Sequence, residues 1–328
     1  MSRTKRSVVR GQWSVARDQS VALKGGAAAR RPAPSRRGFT LTEMLVTIAI
    51  IAILASLAFG GLQIARNSAR ESATKATIAK LNNIIMARYE SYLTRRIPLS
   101  LQGLGPSDAA RVRLDAIRDL MRMEMPDRGE DVSDNPIQIT AGGKTFQLQR
   151  PALSQRYQDR LDNADQSAGT GVSNGQAEFL FMIVSMGSPE AMEQFSPSEI
   201  GDTNKNGFPE FLDGWGRPIF FLRWAPGFSS GLGSPMPSDI QTGNPTTDHD
   251  PFDPRHVESD AFHLIPLIYS GGPSSDPGLK VGDGYHFGDT ANPGSMFSGS
   301  NRDAFLSIGT QVKASAKANI TNHSIEQR

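Results

Sequence analysis

The sequence has 328 residues, with 35 Lys and Arg residues, 33 Asp and Glu residues and no cysteine. The absence of cysteine excludes disulfide scaffolds, thiolate zinc sites and thiol nucleophiles. The charge is unevenly distributed, because residues 1–38 hold ten basic residues and a single acid, Asp18, whereas the remainder has 25 basic and 32 acidic residues. A body with a net charge of about −7 does not favour generic nucleic-acid binding, and we expect no nucleic-acid partner.

An uncharged segment of 22 residues, 44–65, follows this basic leader. A helix of that length is about 33 Å long, which is enough to cross a bilayer. Thr47 and Ser56 are the only hydroxyl residues before Gln63, so the segment lacks the polar stripe of a soluble amphipathic helix. We therefore predict a single transmembrane helix over 39–65, with the leader in the cytoplasm because basic flanks favour that side, and the body exported.

The junction between the leader and the apolar segment reads Arg36-Arg37-Gly38-Phe39-Thr40-Leu41-Thr42-Glu43. This junction resembles the prepilin cleavage and methylation signal of type IV pilins and type II secretion pseudopilins. The resemblance implies that a prepilin peptidase cuts after Gly38 and methylates the new amine of Phe39, so that the leader is removed and the helix is retained. The leader is long for the family, and Gly60-Gly61 stands where many pilins have a proline. Cleavage by signal peptidase after Ser56-Leu57-Ala58 is the alternative.

Glu43 lies at the start of the predicted transmembrane helix. On insertion scales, placing a carboxylate at bilayer depth costs about 2.5–3.5 kcal/mol of free energy. With Thr40 it forms the Thr-x-x-Glu pattern of a capping box at the start of a helix. The pilin resemblance implies a second role, in which the glutamate pairs with the N-terminal amine of a neighbouring subunit during assembly. The two roles are compatible, because capping can precede cleavage and pairing can follow it.

Beyond the membrane, residues 66–96 contain neither glycine nor proline. Apolar residues recur there at steps of three and four, at Ile78, Leu81, Ile85, Tyr89 and Tyr92. This periodicity predicts an amphipathic stem helix over 66–97 that continues the transmembrane helix and offers one apolar stripe for a sheet to cover.

The next hundred residues, 98–196, form a predicted helical insertion region. One helical pattern opens at Ser107-Asp108 and stops at Pro126, and another covers 177–186 with an extension towards Phe195. Between them the chain is polar and rich in helix breakers, with one alternating stretch at 137–148 that predicts a strand or a hairpin.

Residues 197–294 hold 28 of the 53 glycines and prolines, which argues against long helices in this segment. Two β-prone stretches, 219–224 and 264–269, are adjacent to a Trp215-Gly216 turn and a Ser270-Gly271-Gly272 turn. The pair resembles the C-terminal part of the major type II pseudopilin. We expect a polar tail over 295–328.

The resemblances together imply a pilin-like α+β fold. In such a fold a long N-terminal transmembrane helix continues as an amphipathic spine and packs against a small antiparallel sheet with loop-rich insertions.

A run of oxygen-bearing residues just before the tryptophan turn is similar to a calcium-binding loop of the form D-x-[DN]-x-[DN]-G, with Gly207 at the sharp bend. The candidate ligands are Asp202, Asn204, Asn206, the carbonyl group of Phe208, Glu210 and Asp213. The pattern departs from that loop at Asp213, where a bidentate glutamate is usual, and at Pro209. A solvated Asn/Gly turn is the alternative interpretation, so calcium is a possible ligand rather than a required cofactor.

These observations predict a pseudopilin-like structural subunit of a type II secretion or related envelope filament in the inner membrane. The implied partners are a prepilin peptidase, other pilin or pseudopilin subunits and an inner-membrane assembly platform. A type IV pilus or DNA-uptake minor pilin is one alternative, and a membrane-anchored envelope enzyme or binding module is another. We expect no enzymatic activity, because the sequence has no phosphate-binding loop, nucleophile elbow or zinc-protease motif.

Overall fold

The computed structural model describes residues 38–163, 175–229, 241–274, 276–282, 285–288, 294–299 and 301–326. All of the predicted basic leader except Gly38 lies outside these residues. The chain divides into two units, Met1–Ala58 and Phe59–Arg328.

Helix α1 covers Leu41–Thr94, and the described part of the first unit is the beginning of this helix. The 54 residues of α1 contain no proline, and the helix ends four residues before Pro98. The helix passes through Gly60 and Gly61 without interruption, although each glycine costs a helix up to about 1 kcal/mol relative to alanine. The long apolar N-terminal helix is therefore confirmed.

In the second unit, the predicted apolar stripe of α1 is buried. Its five members are at most 3% exposed: Ile78, Leu81, Ile85, Tyr89 and Tyr92. The two phenols are also hydrogen-bonded, since Tyr89 donates to the carbonyl oxygen of Leu264 at 2.7 Å and Tyr92 donates to Glu124 Oε2 at 2.7 Å. Burying each apolar side chain contributes about 1.5–3 kcal/mol, so the stripe attaches the stem firmly to the rest of this unit.

A group of shorter helices follows the stem. They are α2 (Pro106–Glu124), α3 (Gly129–Ser133), α4 (Ala152–Asp162) and α5 (Gly175–Gly187), followed by 3-10 helices at Pro189–Gln194 and Pro197–Glu199. Helix α2 and the body of α5 agree with the sequence patterns. The expected extension of α5 to Phe195 is wrong, because Pro189 cannot continue an α-helix. Helix α4 was not predicted, since it buries only Ser154 and Tyr157 and has little apolar periodicity.

The strands are short and antiparallel. Strands β1 (Gln138–Ala141) and β2 (Lys144–Gln147) form the predicted hairpin. Gly142 and Gly143 supply the positive φ angles, 57° and 72°, that a tight two-residue turn needs. Strands β3 (Ile200–Gly201) and β4 (Glu210–Phe211) form a second pair, which closes the loop that contains four of the six candidate calcium ligands.

The central sheet has the order β5-β6-β7, with β5 at Phe220–Leu222, β6 at Leu267–Ser270 and β7 at Ile320–Thr321. Phe221 is opposite Ile268 and Ser270 is opposite Ile320. Strands β5 and β6 are the two β-prone stretches of the sequence, and a small antiparallel sheet was expected. Within 197–294, the described residues contain no α-helix.

The segment expected to be a polar tail differs from that expectation. Its described part contains α6 (Arg302–Leu306), a 3-10 helix at Ala314–Ala318, strand β7 and α7 (Asn322–Glu326). Phe305 and Ile308 are fully buried in the core. The composition of the segment is polar on average, but buried apolar residues, among them Phe305, Ile308 and Ile320, and two backbone pairings with β6 fix it against the sheet.

Candidate processing and assembly site

The peptide bond between Gly38 and Phe39 lies just before α1, in an exposed segment without regular secondary structure. No heavy atom lies within 4 Å of the position that a Cβ atom on Gly38 would take, and Phe39 is 80% exposed. A peptidase can therefore reach this bond without any rearrangement of the described residues.

Glu43 forms the capping box that its spacing predicts. The Thr40 amide and the Thr40 hydroxyl both donate to Glu43 Oε2 at 2.8 Å, and the Glu43 amide donates to Thr40 Oγ1 at 3.2 Å. These bonds satisfy amide groups that the first turn of a helix leaves without intrahelical partners. All of the carboxylate's bonds use Oε2, and the described residues give Oε1 no hydrogen-bond partner.

The first turns of α1 present an apolar surface on every side. The side chains of Leu41, Met44, Leu45, Val46, Ile48, Ile50, Ile51, Ile53, Leu54, Leu57, Phe59, Leu62 and Ile64 are each at least 45% exposed. The helix is long and apolar enough to cross a membrane, and no residue of its most apolar 18-residue segment is buried. Soluble proteins rarely expose so large a continuous apolar surface, so lipid or other apolar helices must cover it.

The candidate calcium ligands lie in a loop that is closed by its own hydrogen bonds. Asp202 accepts bonds from the amides of Asn206 at 3.1 Å and Gly207 at 2.8 Å. Asn204 and Asn206 donate their side-chain amides to Glu178 Oε1 on α5 at 3.0 and 2.8 Å. Burial raises the pKa of Glu178, although both asparagine bonds favour its ionised form. Sequence analysis did not predict this anchor, because Glu178 is 26 residues before Asn204 in the chain.

The remaining candidate ligands do not all face the loop. Glu210 accepts bonds from the amide and the hydroxyl of Thr203, and the Phe208 side chain is buried. Asp213 binds the tryptophan turn instead: it accepts bonds from the amides of Trp215 at 2.8 Å and Arg217 at 3.0 Å, and from Ser270 Oγ at 2.7 Å.

Asp213 therefore holds the tryptophan turn, and calcium binding by the six candidate residues stays a prediction. Among the residues that the structure describes, no three carboxylate or imidazole groups are gathered in a way that could hold a metal ion.

Buried arginines form ion pairs that sequence analysis missed. Arg118 on α2 donates to Glu258 Oε2 at 2.6 Å and to Asp250 Oδ2 at 2.8 Å. Burial opposes the charge of Arg118, but Glu258 and Asp250 raise its pKa above the ordinary value. Neither partner is within 130 residues of Arg118 in the chain, so no local pattern could have indicated the contact.

A second buried arginine, Arg223, lies directly after β5. Its Nη1 atom donates to Asp131 Oδ2 at 2.9 Å, and its amide donates to Asp127 Oδ2 at 2.9 Å. Burial disfavours the Asp127 carboxylate, but the charges of Arg223 and Arg128 lower its pKa to about 2. These pairs fix the helices to the sheet.

Residues 34–59 match a family model described as the prokaryotic N-terminal methylation motif. The match covers the accessible Gly38–Phe39 bond, the capping box of Glu43 and the beginning of the exposed apolar helix. No curated protein and no solved structure gives a significant match to the chain. The motif, together with an apolar helix that can anchor in a membrane, implies prepilin peptidase processing and pilin-type assembly. The chain therefore carries the N-terminal signal of type IV pilin-like proteins.

Proposed function

We propose that this protein is a pseudopilin-like structural subunit of a type II secretion or related envelope filament. The observation that carries the proposal is the methylation motif on a helix whose apolar side chains are exposed all round. In a filament, the helices of neighbouring subunits cover this surface after they leave the lipid. The acidic charge of the body favours a secretion filament over a DNA-uptake pilus, because the body does not attract a polyanion. The role is mechanical, and no catalytic residue is assigned.

The chain enters the inner membrane with its leader in the cytoplasm, because the ten basic residues of that leader favour this side. A prepilin peptidase then cuts after Gly38 and methylates the amine of Phe39. The body folds on the exported side, and an inner-membrane assembly platform recruits the mature subunit into the filament.

Glu43 has one carboxylate oxygen for each of its two roles. Oε2 closes the capping box, and Oε1 is the atom available to the amine of Phe39 on a neighbouring subunit. A carboxylate at membrane depth needs a positively charged partner, and the freed amine supplies the charge.

The processing step is tested by intact-mass and N-terminal analysis of protein extracted from membranes of the native host. We expect N-methylphenylalanine at Phe39 as the first residue, and accumulation of the uncut chain in Gly38→Ala. A mature chain that starts at Phe59 would show cleavage by signal peptidase and would contradict the proposal.

The assembly role of Glu43 is tested by crosslinking neighbouring subunits in wild type, Glu43→Gln and Glu43→Val. Glutamine keeps the capping box but cannot pair with an amine as a charge. We expect both variants to reach normal membrane levels and to lose the crosslinked ladder. Full assembly of Glu43→Gln would reduce Glu43 to a helix cap.

A further inference from the structure

The tryptophan turn of the second unit lies directly against α1. The Gly214 amide donates to Thr74 Oγ1 at 2.9 Å, and this hydroxyl donates to the carbonyl oxygen of Arg70 at 2.8 Å. A side chain at position 214 would overlap the backbone of Arg70, so only glycine permits this approach. Asp213 accepts bonds from the amides of Trp215 and Arg217, so the backbone of this turn has a fixed position along α1.

This contact is close to the end of the membrane-spanning segment. Arg70 is five residues beyond Ala65, the last residue of the uncharged run, which corresponds to about 7.5 Å along the helix. The headgroup layer on each side of a bilayer is about 5–7.5 Å thick. The turn that carries Trp215 therefore lies at the outer edge of the headgroups.

The chemistry of this end of the unit suits a lipid surface. Arg66 and Arg70 are exposed, and within the described part of the chain neither side chain has an ion pair. The nearest acid, Glu71, is paired with Lys75 at 2.5 Å. Trp215 is half-buried, and amphipathic tryptophan rings are enriched at the level of the headgroups. Arg66 and Arg70 lie about 1.5 and 7.5 Å beyond Ala65 along α1. The turn that carries Trp215 contacts Arg70, so two cations and an indole lie close to the layer of anionic headgroups.

We propose that Arg66, Arg70 and Trp215 form a docking surface for anionic phospholipid headgroups. The surface seats the second unit on the bilayer before the subunit is extracted. This inference needs α1 to be inserted in a membrane, and it is independent of whether the protein joins a filament.

The absence of cysteine allows a direct test, because one introduced cysteine is the only labelling site in the chain. Ala318 is exposed and lines a cavity of about 360 Å³ together with Glu71 and Trp215, so it reports on the proposed surface. Thr94 is also exposed, but it lies about 43 Å beyond Ala65 along the helix and serves as the control. The full-length chain with Ala318→Cys or Thr94→Cys carries a fluorophore and is reconstituted in vesicles that contain a headgroup nitroxide.

With phosphatidylglycerol present, we expect several-fold stronger quenching at position 318 than at position 94. Pure phosphatidylcholine vesicles, or high salt, should weaken the quenching at position 318. Replacing both Arg66 and Arg70 by Gln should lower the docking equilibrium about 30-fold, which corresponds to about 2 kcal/mol. Arg96→Gln, a charge change at the far end of the stem, should leave it unaltered.

Three results would overturn the proposal. They are equal quenching at both positions, quenching at position 318 that does not respond to lipid charge, and quenching that follows the protein-to-lipid ratio. The last of these would indicate contact between two copies of the chain.

Discussion

Asp213 is one of the predicted calcium ligands, but in the structure its carboxylate stabilises the tryptophan turn. It accepts bonds from two backbone amides and from the hydroxyl of Ser270, at 2.7–3.0 Å. The Ser270 hydroxyl in turn accepts the amide of Gly272 at 3.0 Å, so the carboxylate also connects the turn to the end of β6. We therefore expect Asp213→Ala to destabilise the second unit whether or not calcium is present.

The size of the effect follows from these three bonds. A hydrogen bond to a charged group contributes about 1.5–3 kcal/mol. The amides of Trp215 and Arg217 are only partly buried and regain water when the carboxylate is removed, so the net loss is about 3–5 kcal/mol. In a unit of this size the loss lowers the melting temperature by about 6–10 °C. Asp213→Asn is the matched control, because its amide oxygen can accept both backbone bonds and its NH₂ group can donate to Ser270.

The assay is thermal unfolding of the detergent-solubilised full-length chain, measured in calcium and in chelator. Asp213→Ala should melt lower by the same amount in both conditions. Asp213→Asn should lose less, because its neutral amide keeps the three bonds at about 0.5–1.5 kcal/mol each. The reasoning is refuted if Asp213→Ala matches wild type in chelator and loses only a calcium-dependent gain, because Asp213 would then be a calcium ligand.

Burial lowers the pKa of His323 to about 4, so between that value and the ordinary pKa of 6.5 the folded chain binds fewer protons than the unfolded chain. The stability of the fold therefore falls as the pH drops from 6.5 to 4. His323→Gln should flatten the dependence of the melting temperature on pH in this range. Burial raises the pKa of Asp115 from 3.8 to about 7, so its contribution to the pH dependence of stability has the opposite sign. The stability of the fold falls as the pH rises from 3.8 to 7, and Asp115→Asn should remove that decline in the melting temperature. If the loop binds calcium, the full-length chain gains thermal stability in calcium and Asp202→Ala abolishes the gain, whereas identical melting in calcium and chelator contradicts calcium binding.

The elements that the sequence predicts best are those with long, regular periodicity. The apolar segment and the five-residue stripe of α1 extend over many turns, α2 has a clear helical pattern, and α5 contains an unbroken apolar run that indicates burial on several sides. Strands β5 and β6 are β-branched or aromatic runs beside glycine turns. The capping box at Thr40 and Glu43 is local in sequence, and the structure contains it as written.

The features that the sequence could not predict depend on distant partners. Strand β7 has only two residues, and its pairing with β6 crosses about fifty positions of the chain. Asp213 looks like the last ligand of an acidic run, but the turn that follows it offers closer amide donors. The spacing of oxygen-bearing residues predicts which of them could bind one ion, but it does not predict the direction in which the Asp213 carboxylate points.

The buried arginine pairs have a consequence for where the body folds. Arg118 with Asp250 and Glu258, and Arg223 with Asp131, join segments that are about 90–140 residues apart, which is the role that disulfides have in many exported proteins. Ion pairs form without an oxidant, so a reductant does not weaken these connections and the cytoplasm does not prevent them. On the proposed topology, a chain that waits too long at the inner membrane can fold on the wrong side. Redox chemistry therefore does not decide on which side of the membrane the body folds.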